Sequence, residues 1–127
     1  MALDVGIQSG KKIDYRMSFE NDGYYWYLNP LFEEMYEKIG IYIDLYGDAE
    51  FTGRNIHQLE SLLNKAFEMI KNEPKNWDVY IGTQTHPDKK DLFCKVSKIE
   101  FDSKLKTLQK MVTEVKEKSG RLIFSGD

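Results

Sequence analysis

The sequence has few of the residues that most often mark a chemical site. Of its 127 residues, one is cysteine, two are histidine and three are proline. The single cysteine, Cys94, excludes a disulfide framework within the chain and a zinc site built from several cysteines. The two histidines, His57 and His86, are far apart and match no spacing typical of metal ligands. We therefore expect no bound metal and no cofactor.

Long apolar runs are also missing, which excludes a membrane-spanning helix, since such a helix needs about 20 consecutive apolar residues. The beginning of the chain lacks the basic region followed by an apolar region that is typical of a secretory signal. With 41% hydrophobic, 31% charged and 13% aromatic residues, the composition is that of a folded globular protein. The length fits one domain, which we place at residues 1–127. Together these features predict a cytoplasmic protein.

Basic residues are in the minority, with 18 Lys and Arg against 21 Asp and Glu and a net charge of -3. This balance argues against a nucleic-acid binder, which needs a basic surface. The charge is divided unevenly, because residues 1–60 carry 11 acidic and 5 basic residues, whereas residues 61–127 carry 10 acidic and 13 basic ones. Such asymmetry arises either from scatter over a solvated surface or from an acidic face directed at a basic partner.

Hydrophobic periodicity predicts six strands and three amphipathic helices. The predicted strands are residues 3–8, 13–19, 41–46, 77–84, 92–97 and 121–125. The predicted helices are residues 30–39, residues 55–72, and a segment from a cap at Asp102 or Ser103 to about Ser119. The order is β-β-α-β-α-β-β-α-β. We expect a single α+β domain in which the helices pack on one mixed sheet of about six strands.

Three local features carry specific expectations. Alternation over residues 13–19 predicts a half-buried strand with all its apolar side chains on the inner face. Asn29 before Pro30 is typical of a helix start, although a helix that already includes Tyr24–Leu28 would place Pro30 in its interior. Residues 41–46 have large side chains on both faces, which predicts a central strand covered on both sides.

Catalytic patterns are weak in this sequence. Cys94 lies at an inward position of its predicted strand, where a thiol acts as a small hydrophobic group. Asp44, Asp48 and Glu50 lie at the end of the predicted third strand and could form a carboxylate site of a small enzyme, or could only accept local hydrogen bonds.

Besides a binding protein and an enzyme, a third possible function is that of a structural protein that self-associates through an exposed edge strand formed by residues 121–125.

An aromatic segment followed by an acidic helix is the strongest candidate for a binding surface. Residues 24–27 are Tyr-Tyr-Trp-Tyr, and the helix that follows carries several glutamates on one face. Aromatic rings supply buried area in interfaces and acidic groups steer a basic partner, although the same rings could belong to the core. The predicted partner contacts are Glu33, Glu34, Glu37, Asp48, Glu50, Asp22 and Tyr25.

Three segments together resemble a known class of proteins: IYIDLYGDAEFTG at residues 41–53, WDVYIGTQ at residues 77–84 before a lysine-rich turn, and the ending RLIFSGD. They resemble small bacterial immunity proteins encoded beside toxins of contact-dependent growth inhibition and related polymorphic toxin systems. The resemblance covers roughly residues 24–127. It implies a cytoplasmic single domain, an antitoxin that binds a cognate toxin, blocks its active site or target contact and performs no catalysis. Many such toxins are basic nucleases. The resemblance implies no particular contact residue, because interfaces in these systems diverge between pairs.

Overall fold

The computed structural model describes residues 2–126 and shows a single α+β domain with the predicted order of elements. No helix within those residues is long and apolar enough to cross a membrane. In chain order the elements are β1 (Leu3–Ser9), β2 (Lys12–Phe19), α1 (Asp22–Ile39), β3 (Asp48–Phe51), α2 (Ile56–Lys71), β4 (Asn76–Gln84), β5 (Lys90–Ser97), α3 (Lys98–Lys118) and β6 (Arg121–Ser125).

The strands form two antiparallel sheets instead of one mixed sheet. Four strands are arranged in the order β2-β1-β6-β3, and β4 pairs with β5 in a separate hairpin. Only β1–β2 and β4–β5 are consecutive hairpin pairs, whereas β6 joins β1 and β3 from a distant part of the chain. Because β6 lies between β1 and β3, residues 121–125 offer no free edge, so the alternative of self-association through this strand is wrong.

The core lies between the four-stranded sheet and the helices. The helix α3 packs on β1, β2 and β6, and α1 and α3 each pack on α2. The ring of Phe101 joins α3 to its neighbours, with ring centroids 4.8 Å from Tyr24, 5.4 Å from Tyr27 and 6.2 Å from Trp77. Since Trp77 belongs to β4, this aromatic cluster also attaches the hairpin to α1.

A β-bulge at Arg16 changes which side chains of β2 face the core, compared with the prediction. The pairing with β1 steps from Met17 directly to Tyr15, so that Arg16 is an extra residue. Met17 and Phe19 therefore face the core, whereas Tyr15 and Ile13 are exposed on the opposite side of the sheet. The expectation of one apolar face along residues 13–19 is wrong, because every second side chain lies on the same face only in a strand without a bulge.

The helix α1 begins eight residues earlier than predicted, so the alternative that includes Tyr24–Leu28 is confirmed. Its cap is Asn21, whose side chain accepts a hydrogen bond of 2.7 Å from the backbone N–H of Gly23. Pro30 lies in the helix interior, and the predicted start there is wrong because the earlier cap satisfies the first turn. The helix ends at Gly40, whose positive φ of 74° suits glycine.

Residues 41–46 do not form the predicted third strand, and β3 follows them instead. This segment packs against α1 through a small polar network. The hydroxyl of Tyr25 donates a 2.7 Å hydrogen bond to the carbonyl of Ile43, and the Asn29 amide donates one of 2.8 Å to the Tyr42 hydroxyl. The apolar alternation of the segment therefore reflects burial against a helix, not pairing in a sheet.

At Gly23 the helix α1 lies close to the hairpin of β4 and β5. A Cβ at this position would lie 2.7 Å from Val96 Cγ1 and 3.0 Å from Cys94 Cβ. We expect Gly23→Ala to separate the two elements and to lower the free energy of unfolding by about 1–3 kcal/mol in urea denaturation. Gly53→Ala is the control, since a Cβ there meets nothing within 4 Å, and should change stability by about 0.5 kcal/mol or less. Equal losses in the two variants would contradict this packing.

Candidate functional site

The outward side of α1 carries aromatic rings and carboxylates together. Trp26, Glu33 and Glu37 recur at helical spacing and are exposed, and Tyr36 beside them is 53% exposed. Tyr42 joins them from the segment that follows the helix, because its ring contacts that of Tyr36. We call these five residues the acidic aromatic face.

Four residues of this face, Glu33, Tyr36, Glu37 and Tyr42, line a shallow depression in the surface. The rings of Tyr36 and Tyr42 meet edge to face, with centroids 5.8 Å apart and an interplanar angle of 70°. The Tyr42 hydroxyl accepts the hydrogen bond from Asn29, which is buried within α1. The wall of the depression is therefore held in place by the core before any partner binds.

The carboxylates of Glu33 and Glu37 lie one helical turn apart and form no ion pair within residues 2–126. Like charges at this spacing destabilise a helix by about 0.2–0.5 kcal/mol. A cation supplied by a partner would remove that repulsion. These two side chains are therefore the members of the predicted site that are best placed to receive a positive charge.

Glu34, predicted with them, has a different environment. Its carboxylate pairs with Lys65 of α2 and lies 3.3 Å from the Nζ of Lys38. The hydrogen bond from Lys65, helped by that from Lys38, lowers the pKa of Glu34. The charge of Glu34 is already compensated within the chain, and its ion pair with Lys65 links α1 to α2.

The remaining acidic candidates lie away from Glu33 and Glu37, two of them on β3 and one at the beginning of α1. Asp48 and Glu50 lie on β3 and face away from the helices, because Ala49 and Phe51, which alternate with them, face the core. Glu50 also pairs with Arg121 at 2.8 Å. Asp22 belongs to the first turn of α1, about 16 Å along the helix from Glu33 at 1.5 Å per residue. The structure therefore does not bring the predicted acids together on one surface.

Tyr25, the predicted aromatic contact, is a core residue. It is 2% exposed, and its hydroxyl donates to the Ile43 carbonyl. Burial raises the pKa of the Tyr25 hydroxyl, with the neighbouring Tyr42 hydroxyl adding to the effect. Tyr25 therefore lies in the core of the free chain and does not form part of its surface. Trp26, the next residue, is 38% exposed and takes the outward position instead.

The carboxylates of the alternative enzyme site make local contacts. Asp44 accepts a hydrogen bond of 3.3 Å from the backbone N–H of Tyr46, and Glu50 is occupied by Arg121. Across residues 2–126, no group of three or more His, Cys, Asp or Glu side chains is placed to hold a metal ion. Asp48 faces solvent from the edge strand β3. These contacts supply no observation that favours the enzyme over the binding protein.

Trp26, Tyr36 and Tyr42 are not among the predicted contacts, although their residue types fit an interface. The sequence signal for Trp26 was its helical spacing from Glu33 and Glu37, which can be recognised once α1 is known to begin at Asp22.

Comparisons of the chain with protein-family models, with curated proteins and with solved structures give no match. The acidic aromatic face is therefore the feature from which a function can be inferred.

Proposed function

We propose that this protein is a cytoplasmic, immunity-type inhibitor that binds a basic bacterial toxin domain, in particular a nuclease, and performs no catalysis itself. The observation that supports this proposal is the acidic aromatic face, where exposed rings accompany two carboxylates without an ion pair in residues 2–126. The inhibitor covers the active site or the substrate groove of the toxin, and neither a membrane nor a nucleic acid is its partner.

The chemistry of a nuclease groove fits this face. Such a groove binds phosphates through lysine and arginine, and carboxylates can occupy the same positions as the phosphates. Acidic groups raise the rate of encounter with a basic partner, and exposed aromatic rings supply the area that becomes buried in the complex. Glu33 and Glu37 would supply the first effect, and Trp26 and Tyr36 the second, with the partly buried Tyr42 packed beside Tyr36.

Inhibition of the purified nuclease domain of the toxin encoded by the neighbouring gene tests the proposal. We expect cleavage of nucleic acid to stop at a one-to-one ratio of the two proteins, and the complex to elute as one species in size-exclusion chromatography. Co-expression of this protein should also restore the growth of cells that express the toxin domain. A basic nuclease from an unrelated toxin system, added as a control, should stay active. A cognate toxin domain that stays fully active in excess of this protein would contradict the proposal.

A further inference from the structure

The depression on the acidic aromatic face has the shape and charge to take one particular type of side chain. Resting on the proposed function, we infer that it receives an arginine of the partner, whose guanidinium stacks on Tyr36 and donates hydrogen bonds to Glu33 and Glu37. Lysine is the alternative basic residue. The two differ in geometry, because a guanidinium is planar and an ammonium group is a compact point charge.

The arrangement of the rings favours the planar group. Tyr36 is more than half exposed, and its ring and that of Tyr42 meet edge to face, so that part of the Tyr36 side chain stays open to the solvent. A guanidinium that stacks on a ring face directs its N–H groups outward in its own plane. Glu33 and Glu37 line the same depression as the Tyr36 ring. Each can accept hydrogen bonds from a guanidinium in the paired geometry that arginine and carboxylates prefer.

The support beneath the depression is a second, separate observation. Tyr42 is held by the Asn29 amide, and Asn29 also lies 3.5 Å from the hydroxyl of buried Tyr25. A wall that is already fixed loses little conformational freedom when a ligand binds. The like charges of Glu33 and Glu37 also favour binding of a cation, because a cation between them relieves their repulsion.

Titration of the full chain with N-acetyl-L-arginine amide, followed by NMR of the tyrosine rings, tests this site without the toxin. We expect the signals of Tyr36 and Tyr42 to shift with the arginine compound, and N-acetyl-L-lysine amide to bind about 5-fold or more weakly. Tyr36→Ala, and separately the double variant Glu33→Gln with Glu37→Gln, should weaken arginine binding about 5- to 10-fold.

Tyr80 provides a matched control. It is also about half exposed and meets Phe93 edge to face with centroids 5.8 Å apart, but it lies on the hairpin and not on α1. Tyr80→Ala should leave arginine binding unchanged. Equal binding of the lysine and arginine compounds, or equal shifts at the Tyr80 and Tyr36 rings, would overturn the inference.

The toxin separates this inference from the proposed function. If Tyr36→Ala inhibits the toxin as tightly as the unchanged protein, the proposed function stands and the arginine contact is wrong. If the toxin does not bind while the arginine compound binds at Tyr36, the proposed function fails and the arginine site is supported. Modification of the toxin's arginines with phenylglyoxal should abolish binding, whereas dimethylation of its lysines, which keeps their charge, should not.

Discussion

We expect replacement of both Glu33 and Glu37 by lysine to lower the association rate with the proposed toxin partner about 10-fold or more at low salt. The physical reason is that these carboxylates lie exposed on one side of α1, with no cation of residues 2–126 paired to either. Reversal of their charge converts attraction to a basic partner into repulsion, and steering of this kind acts mainly on the association rate. Stopped-flow measurements at low and high salt would show the loss and its disappearance as salt screens the charges.

The charge-matched control is Glu68→Lys with Glu117→Lys. Glu68 and Glu117 are also exposed, on α2 and α3, and the double variant changes the net charge by the same amount. If this control slows association as much as the variant of Glu33 and Glu37, the rate depends on net charge alone. That result would remove the acidic aromatic face from the interface.

Replacement of Phe101 by alanine lowers the free energy of unfolding by about 3–5 kcal/mol. Its ring is 0% exposed and contacts aromatic rings of α1 and β4, so that its removal leaves a cavity where three elements meet. A domain of this kind is stable by about 5–15 kcal/mol in total, so the variant should lose a large share of its stability. Urea denaturation followed by circular dichroism gives the size of the loss.

Two further variants make the Phe101 result interpretable. Phe101→Leu keeps most of the apolar volume and should lose less stability than Phe101→Ala. Phe93→Ala removes an exposed ring from the hairpin, where Phe93 contacts Tyr80, and should cost no more than about 1 kcal/mol. Equal losses for Phe93→Ala and Phe101→Ala would contradict the central position of Phe101 in the core.

Most of the order of elements could be predicted because it rests on local patterns, although the third strand forms at Asp48–Phe51 and not at residues 41–46. The apolar stripe of α2 predicts a helix at residues 55–72, and the structure has Ile56–Lys71. The division of the strands into two sheets could not be predicted, since it depends on contacts between distant segments. Residues 41–46 show the limit most clearly, because alternating burial against α1 produces the same pattern as a strand.

The candidate site could be predicted only in part, for related reasons. Glu33 and Glu37 follow from helical spacing, which is local. The pairing of Glu34 with Lys65 joins residues 31 positions apart, and the burial of Tyr25 depends on how residues 41–43 cross α1. Neither contact leaves a signal in the neighbouring sequence, so the prediction could not separate the acids that bind within the chain from those that face outward.

Hydroxyl-radical footprinting of the protein, alone and in complex with the toxin domain, tests most directly whether the acidic aromatic face is the interface. The method reports the solvent exposure of individual aromatic side chains. We expect Trp26 and Tyr36 to become protected in the complex, while Tyr80 and Phe93 on the hairpin and Tyr15 on the open side of the sheet stay as reactive as in the free protein. Protection of the hairpin or the sheet, with Trp26 and Tyr36 unchanged, would show that the partner binds elsewhere.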